Sequence, residues 1–252
     1  MESITYERPA DIPAALSAAR APGARFIGGG TNLLDLMKGG VEHAQRLIDV
    51  NRLPAMAEMS GLPNGGLRIG ALARNSDVAD DARVRQRYPL LSQALLAGAS
   101  PQLRNMATVG GNLMQRTRCG YFTDIGFSQC NKRVPGSGCA ALDGVNRMHA
   151  ILGASAACIA VNPSDMSVAL AALDAAVRVA GPQGERVIRL VEFHRLPGET
   201  PQHDTVLNPG ELIVSVDLPA AGFADHAYYL KIRDRASYAF ALISVAAALE
   251  LD

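Results

Sequence analysis

A chain of 252 residues can bury a sizeable core, as one large domain or two modest ones. Apolar residues make up 48% and charged residues 19%, which excludes a disordered or merely solvating chain. The 24 basic and 24 acidic residues cancel, which removes the electrostatic footprint of a protein whose main partner is nucleic acid.

The N-terminus, MESITYERPADIPAAL, has no basic stretch followed by an apolar run, and no segment offers the roughly 18 uninterrupted apolar residues of a membrane span. By its own sequence the chain reads as soluble and cytoplasmic, without membrane insertion. The first fifty residues alternate between strand and helix periodicities, the mark of a small α/β unit. Strands are expected at Ile4 to Tyr6, Ala24 to Ile27 and Arg46 to Asp49, and helices at Asp11 to Ala21, with Asp11 as N-cap, and at Leu33 to Gly39.

Between strand and helix lies Phe26-Ile27-Gly28-Gly29-Gly30-Thr31-Asn32-Leu33. Glycines allow close backbone approach, so successive N–H groups can turn inward on an anion beside a helix N-terminus. The plain alternative is a tight turn with no ligand. The pattern is neither G-x-x-x-x-G-K-[ST] nor G-x-G-x-x-G, so it suits a diphosphate without hydrolysing it.

A second lobe begins near Gly61. LRIGALA reads as a strand, and SDVADDARVRQRYPLLSQALLAGA as one helix with Ser76 as N-cap. A second glycine turn, Thr108-Val109-Gly110-Gly111-Asn112, follows; two such loops can close over a long dinucleotide. Periodicity disappears from Met114 to Ala150, so something other than an apolar core must organise that stretch. It returns in a helix over Ser164 to Ala175, capped by Ser164 or Asp165. The strand-like runs AVRVAG, LIVSVDLP and AYYLKIR come next, and SYAFALISVAAALELD closes the chain with helical or strand character.

All four cysteines, Cys119, Cys130, Cys139 and Cys158, fall in or beside the aperiodic segment. Disulfides would need an oxidising compartment, and a structural zinc site usually shows a short C-x2-4-C pair, which is missing. Four thiolates can also hold one 4Fe-4S cluster. The pattern alone leaves cluster and disulfides open. Arg116, Arg118, Lys132, Arg133 and Arg147 are close in sequence to the cysteines, and N–H groups around Gly136 and Gly138 are candidate donors to sulfur; both would raise a cluster's potential.

FIGGGTNL and ASPQLRNMATVGGNL resemble the two FAD loops of flavoprotein subunits in the xanthine dehydrogenase and carbon monoxide dehydrogenase family of molybdenum hydroxylases. IGALA at 69–73, PSDMSVALAALDA at 163–175, PGELIVSVDLP at 209–219 and YLKIRDRASYAFALISVA at 229–246 extend the resemblance over nearly the whole chain. It implies an α+β fold like that of vanillyl-alcohol oxidase (PCMH-type). Two FAD-binding lobes, 1–56 and 57–222, are followed by the start of a C-terminal domain at 223–252. It implies FAD contacts at Phe26, Ile27, Gly28, Gly29, Gly30, Thr31, Asn32, Leu33, Thr108, Gly110, Gly111, Asn112, Asp165, Leu212 and Lys231. Without the resemblance, Asp165 reads as a helix cap, Leu212 as a core residue and Lys231 as a solvated charge.

The insert at 114–158 resembles that of periplasmic aldehyde oxidoreductase flavoprotein subunits, which implies a 4Fe-4S cluster on Cys119, Cys130, Cys139 and Cys158. The implied partners are a molybdenum-cofactor large subunit and a 2Fe-2S small subunit, with export to the periplasm on a partner's signal. Family members continue beyond the equivalent of Asp252, so a truncated C-terminal domain is expected. No catalytic acid or base is assigned, and His149 reads as a packing or surface histidine. The resulting function is an electron-transfer subunit of an oxidoreductase. Its rivals are a self-sufficient FAD oxidase or dehydrogenase of the vanillyl-alcohol oxidase type and a ligand-binding protein with disulfides.

Overall fold

The computed structural model describes residues 3–220 and 222–249. The chain opens with β1 (Thr5–Glu7), α1 (Ile12–Ala18), β2 (Ala24–Ile27), α2 (Leu33–Lys38) and β3 (Arg46–Asp49). Asp11 caps α1 by accepting from the Ala14 N–H at 2.8 Å, as its place before an Ala-rich run predicts. The helix ends three residues earlier than expected, in a turn that leads through Pro22 and Gly23 into β2. The three strands form a parallel sheet in the order β1-β3-β2.

Next come β4 (Met59–Gly61) and β5 (Leu67–Gly70), then α3 (Asn75–Asp80), α4 (Ala82–Arg87) and α5 (Pro89–Ala97). The single helix expected from Ser76 is therefore three, and Ser76 is not its cap; Arg74 occupies the N-cap position. Asp81 adopts an extended conformation and caps α4 by accepting from the Arg83 N–H, and Pro89, which has no N–H to donate, starts α5. Both are helix-start residues placed inside an otherwise helical pattern.

Four short helices follow: α6 (Pro101–Arg104), α7 (Val109–Leu113), α8 (Gly120–Thr123) and, after the cysteine segment, α9 (Asp165–Ala172). Ser164 is the cap of α9, accepting from the Ser167 N–H at 3.0 Å. Then come β6 (Ala176–Gly181), β7 (Gly184–Arg189), α10 (Leu190–Phe193), β8 (Leu212–Leu218), β9 (Ala227–Ile232) and β10 (Ile243–Ala248). Strands β4-β5-β8-β6-β7 form one antiparallel sheet, and β9 and β10 pair antiparallel. The closing segment, ambiguous in sequence, is thus partly strand.

One face of the five-stranded sheet carries Leu67, Ile69, Val177, Val179, Val216 and Leu218, all almost fully buried, against Val78, Leu91, Ala94 and Leu170 of the helices. Each fully buried side chain of Val or Leu size stabilises by roughly 1.5–3 kcal/mol. Across β5, β8 and β6, Asp217 accepts from Arg68 and Arg178, each at 2.7 Å, tying three strands by one carboxylate.

Asp49, at the end of β3, is 4% exposed and anchors the first lobe. It accepts from the Tyr6 hydroxyl, from Arg8 Nε at 2.9 Å, and from the Asn51 backbone and side-chain nitrogens at 2.9 and 2.7 Å. Burial opposes its ionisation, but these donors outweigh burial and hold the carboxyl at about 2 rather than 3.8. A depressed carboxyl contributes stability at pH values above its unfolded value, lost as pH falls through the folded one. Asp49→Asn is therefore expected to cost about 2 kcal/mol in chemical unfolding at pH 7. The difference from the native protein should shrink as pH falls from 4 towards 2.

Candidate functional site

The two glycine loops are packed directly on each other. A Cβ on Gly29 would collide with the carbonyl oxygen of Met106, and one on Gly28 would sit 3.0 Å from Thr108 Oγ1. Glycine is needed here for close approach. Asn51 donates from Nδ2 to the Gly28 carbonyl at 2.9 Å, and Arg74 bridges Asn51 Oδ1 at 3.2 Å and the Met106 carbonyl at 2.5 Å. The second loop is held from behind by the IGALA segment: the N–H groups of Val109 and Gly110 donate to the carbonyls of Ala73 and Ala71, at 3.0 and 2.8 Å. Thr108, 2% exposed, caps α7 by accepting from the Gly111 N–H at 3.1 Å.

Among the described residues, the N–H groups of Gly29, Gly30, Thr31, Asn32 and Leu33 donate to no protein acceptor. Gly30 turns the chain with φ of +71°, and the loop is half-buried rather than sealed. Backbone donors grouped this way make an anion cradle, since they would otherwise need water or a ligand. Asn32 adds a side chain whose Oδ1 accepts from the Arg116 N–H at 2.8 Å, while its Nδ2 is buried with no partner. Phe26, Ile27 and Leu33 are partly buried and pack on the apolar cores around the loop.

The other expected contacts radiate from the second loop. Asn112 Oδ1 accepts from Ser164 Oγ at 2.8 Å, and Ser164 is followed by Asp165, 9% exposed. Asp165 Oδ2 pairs with Lys231 Nζ at 2.8 Å, and its Oδ1 accepts from the Tyr229 hydroxyl at 2.5 Å. Burial, then the bond to Asp165, pushes the Tyr229 hydroxyl up, so it stays a donor. Lys231 is thus no solvated charge: its side chain is 4% exposed. Leu212 lies in the sheet core at the start of β8.

A cavity of about 580 Å³ opens beside this cluster, with Ser164, Asp165, Arg118, Cys119, His149 and Phe240 in its walls. A much smaller one is lined by all four cysteines, together with Tyr121, Phe122 and Lys132. The thiols are free, and burial pushes those of Cys119 and Cys158 up. Among the described residues no three His, Cys, Asp or Glu side chains are drawn together closely enough to hold a single metal ion. The cysteines surround a space instead of converging on a point.

Polar contacts organise the aperiodic segment. Cys130 and Cys139 face each other in a β-bridge, and the Cys130 N–H donates to Ser137 Oγ at 3.0 Å. Asn131 ties this bridge to the Cys158 turn by donating from Nδ2 to the Ala157 carbonyl at 2.9 Å. The Gly138 N–H goes to Asn131 Oδ1 and not to sulfur; the Ala160 N–H donates to Cys158 Sγ at 3.4 Å, and the backbone N–H groups of Tyr121 and Phe122 face the Cys119 sulfur. A small apolar cluster of Leu36, Phe122 and Cys130 seats the segment on α2.

The basic residues near the cysteines also differ from expectation. Arg116 reaches Glu42 and, at 2.7 Å, Asp204; Lys132 pairs with Asp204 at 2.5 Å. Arg147 pairs with Asp234, and Arg133 donates to four backbone carbonyls, including those of Tyr121 and Phe122. Most of the positive charge is thus locally spent. Arg118 has no carboxylate partner among the described residues and stacks on Phe240 at 5.3 Å, with its Nε buried and unpartnered. Asn51, Arg74 and Asp204 are supporting residues the sequence does not single out, and of these Arg74, just after IGALA, stands next to a motif; Arg116 is singled out in sequence for a different role, as a charge near the cysteines.

These features coincide with known proteins. The family described as "FAD binding domain in molybdopterin dehydrogenase" matches residues 2–221. The chain is 58% identical to the aldehyde oxidoreductase FAD-binding subunit PaoB of Escherichia coli (strain K12), over all of this chain and 79% of that protein. It is 26% identical to the glyceraldehyde dehydrogenase medium chain of Sulfolobus acidocaldarius, over 90% of this chain and 63% of that one. Its fold matches the Cu,Mo-CO dehydrogenase in its cyanide-inactivated form (TM-score 0.73, 20% identity), covering 100% of this chain and 71% of the other. It also matches quinoline 2-oxidoreductase of Pseudomonas putida 86 (TM-score 0.72, 24% identity, 100% and 70% covered). No helix among the described residues is long and apolar enough to cross a membrane. The fold is the mixed helix and sheet FAD-binding fold, and the chain belongs to the oxidoreductase family of FAD-binding domains of molybdopterin dehydrogenases.

Proposed function

We propose that the chain is the FAD- and 4Fe-4S-carrying electron-transfer subunit of a molybdenum hydroxylase that oxidises aldehydes, working with a molybdenum-cofactor large subunit and a 2Fe-2S small subunit. The observation that carries the reading is the row of unpaired N–H groups from Gly29 to Leu33, held against a second glycine loop. The relatives' names as FAD-binding subunit and medium chain support the assembly, and the E. coli relative supports the aldehyde substrate. The separate sheets within 1–56, 57–222 and 223–252 support a division into two FAD-binding lobes and a further segment.

In this reading the N–H groups of Gly29 to Leu33 hold the FAD diphosphate, with Thr108, Gly110, Gly111 and Asn112 closing from the second loop. Phe26, Ile27 and Gly28 shape the strand end beneath them. Asp165, Lys231 and Leu212 belong to the same site. The Asp165–Lys231 pair, with Tyr229, presents a fixed polar edge beside the 580 Å³ cavity. FAD supplies a centre that accepts electrons singly or in pairs. The residues around it need only bind and orient, which suits a site with no assigned general acid or base.

Cys119, Cys130, Cys139 and Cys158 would hold the cluster. A cubane needs thiolates spread around a volume, which fits four cysteines lining one small cavity better than a single-ion geometry does. The Asp204 carboxylate, shared by Lys132 and Arg116, ties this cavity's wall to the loop that carries Asn32.

Two variants test the two cofactors separately. Gly29→Ala is expected to lower flavin retained after purification at least tenfold, read from the visible spectrum, with iron unchanged. Cys130→Ser is expected to drop iron from about four per chain to near zero while flavin remains. A native protein that purifies without flavin under saturating FAD would overturn the reading, as would aldehyde turnover by the isolated chain.

A further inference from the structure

We infer that His149 is a positioning residue for the cluster, donating its Nε2–H to the Cys119 sulfur and thereby raising the potential at which the cluster accepts an electron. This deepens the function proposed above and rests on its assignment of the four cysteines.

The geometry is specific. His149 Nε2 lies 3.1 Å from Cys119 Sγ, within range of a hydrogen bond to sulfur. The histidine is fixed at both ends by its backbone: its own N–H donates to the Asn146 carbonyl at 2.9 Å, and the next residue's N–H, on Ala150, donates to the Ile159 carbonyl at 2.8 Å. Asn146 is itself anchored, its Nδ2 reaching the carbonyls of Ala141 and Leu142, both at 3.2 Å. The imidazole ring lies 6.3 Å from the Tyr121 ring, whose hydroxyl accepts from the Val145 N–H at 2.6 Å. Its other nitrogen, Nδ1, is buried without a well-formed hydrogen bond, and the ring is held between the Asn146 backbone on one side and the Cys119 sulfur on the other.

Position gives this contact consequence. Cys119 lines both the cysteine cavity and the 580 Å³ cavity, and His149 stands in the wall of the latter. Of the cysteines, Cys119 is therefore the ligand nearest the space beside Asp165. A donor to a thiolate sulfur draws off negative charge, and that matters most once the cluster has gained an electron, so the reduced form is favoured. In the Nε2–H tautomer that this inference assigns, the imidazole acts as a fixed dipole. With Arg116, Lys132, Arg133 and Arg147 spent on carboxylates and carbonyls, this neutral donor joins the backbone N–H groups of Tyr121 and Phe122 as a close polar influence on the Cys119 sulfur.

The test uses the purified iron-loaded complex and an EPR-monitored redox titration at fixed pH. His149→Phe is expected to keep native iron content while its reduction equilibrium moves about tenfold towards the oxidised form, equal to about 59 mV for one electron. His149→Gln, whose side-chain amide can still donate, is expected to recover part of that shift. Native iron with an unchanged potential in His149→Phe would overturn the inference and leave the cluster assignment standing. Loss of iron from both variants would overturn it too, by making His149 a support of the loop. A native protein without iron would sink the cluster assignment and this inference with it, and iron analysis reveals that before any potential is measured.

Discussion

The whole arrangement depends on the contact between Gly28-Gly29 and the turn at Met106 to Thr108. Two backbones meet there with no side chain between them, so loops from the first and second lobes become a single surface. Any larger residue at Gly29 would have to displace the Met106 carbonyl, and with it the bond from Arg74 that fastens both loops to Asn51. Among the described residues, the row of N–H groups from Gly29 to Leu33 remains unpaired within the protein. A cradle of this kind works through preorganisation: the donors are in place before an anion arrives.

The cysteine segment is built by different physics. Its apolar cluster is small, and its shape is set by turns, by Asn131, and by the partly buried Arg116–Asp204–Lys132 network. Arg116 is thus a joint: its backbone holds Asn32 of the first loop, its guanidinium stacks on Phe122 at 4.6 Å, and its charge is shared between Glu42 and Asp204. The first glycine loop and the cysteine cavity are linked through this residue.

The third polar centre, Asp165 with Lys231 and Tyr229, has a structural and a functional side that do not compete. Its members satisfy each other in a nearly dry site, which locks β9 against α5 and α9, while Asp165 still borders the large cavity. In the electron-transfer role proposed above, rigid polar edges would help, because changes of geometry during transfer would only slow it.

Much of this was legible in the sequence. The alternation of strands and helices identified the elements of the first fifty residues, Asp11 and Ser164 announced their helices, and the two glycine motifs with the ordered matches along the chain identified the family. Local rules suffice for such features, because caps, turns and periodicity are properties of neighbouring residues. They failed where two local signals compete, as at Asp81 and Pro89, which divide one apparent helix into three. Tertiary structure alone decided what the charges near the cysteines do. Arg116 and Lys132 read as a field around the thiolates, yet they are neutralised by Glu42 and Asp204, seventy or more residues away in sequence. It also moved Lys231 from solvent into an ion pair with Asp165 and set His149 against Cys119. Contacts between residues so far apart leave no periodic trace in a single sequence; they exist only once the chain has closed on itself.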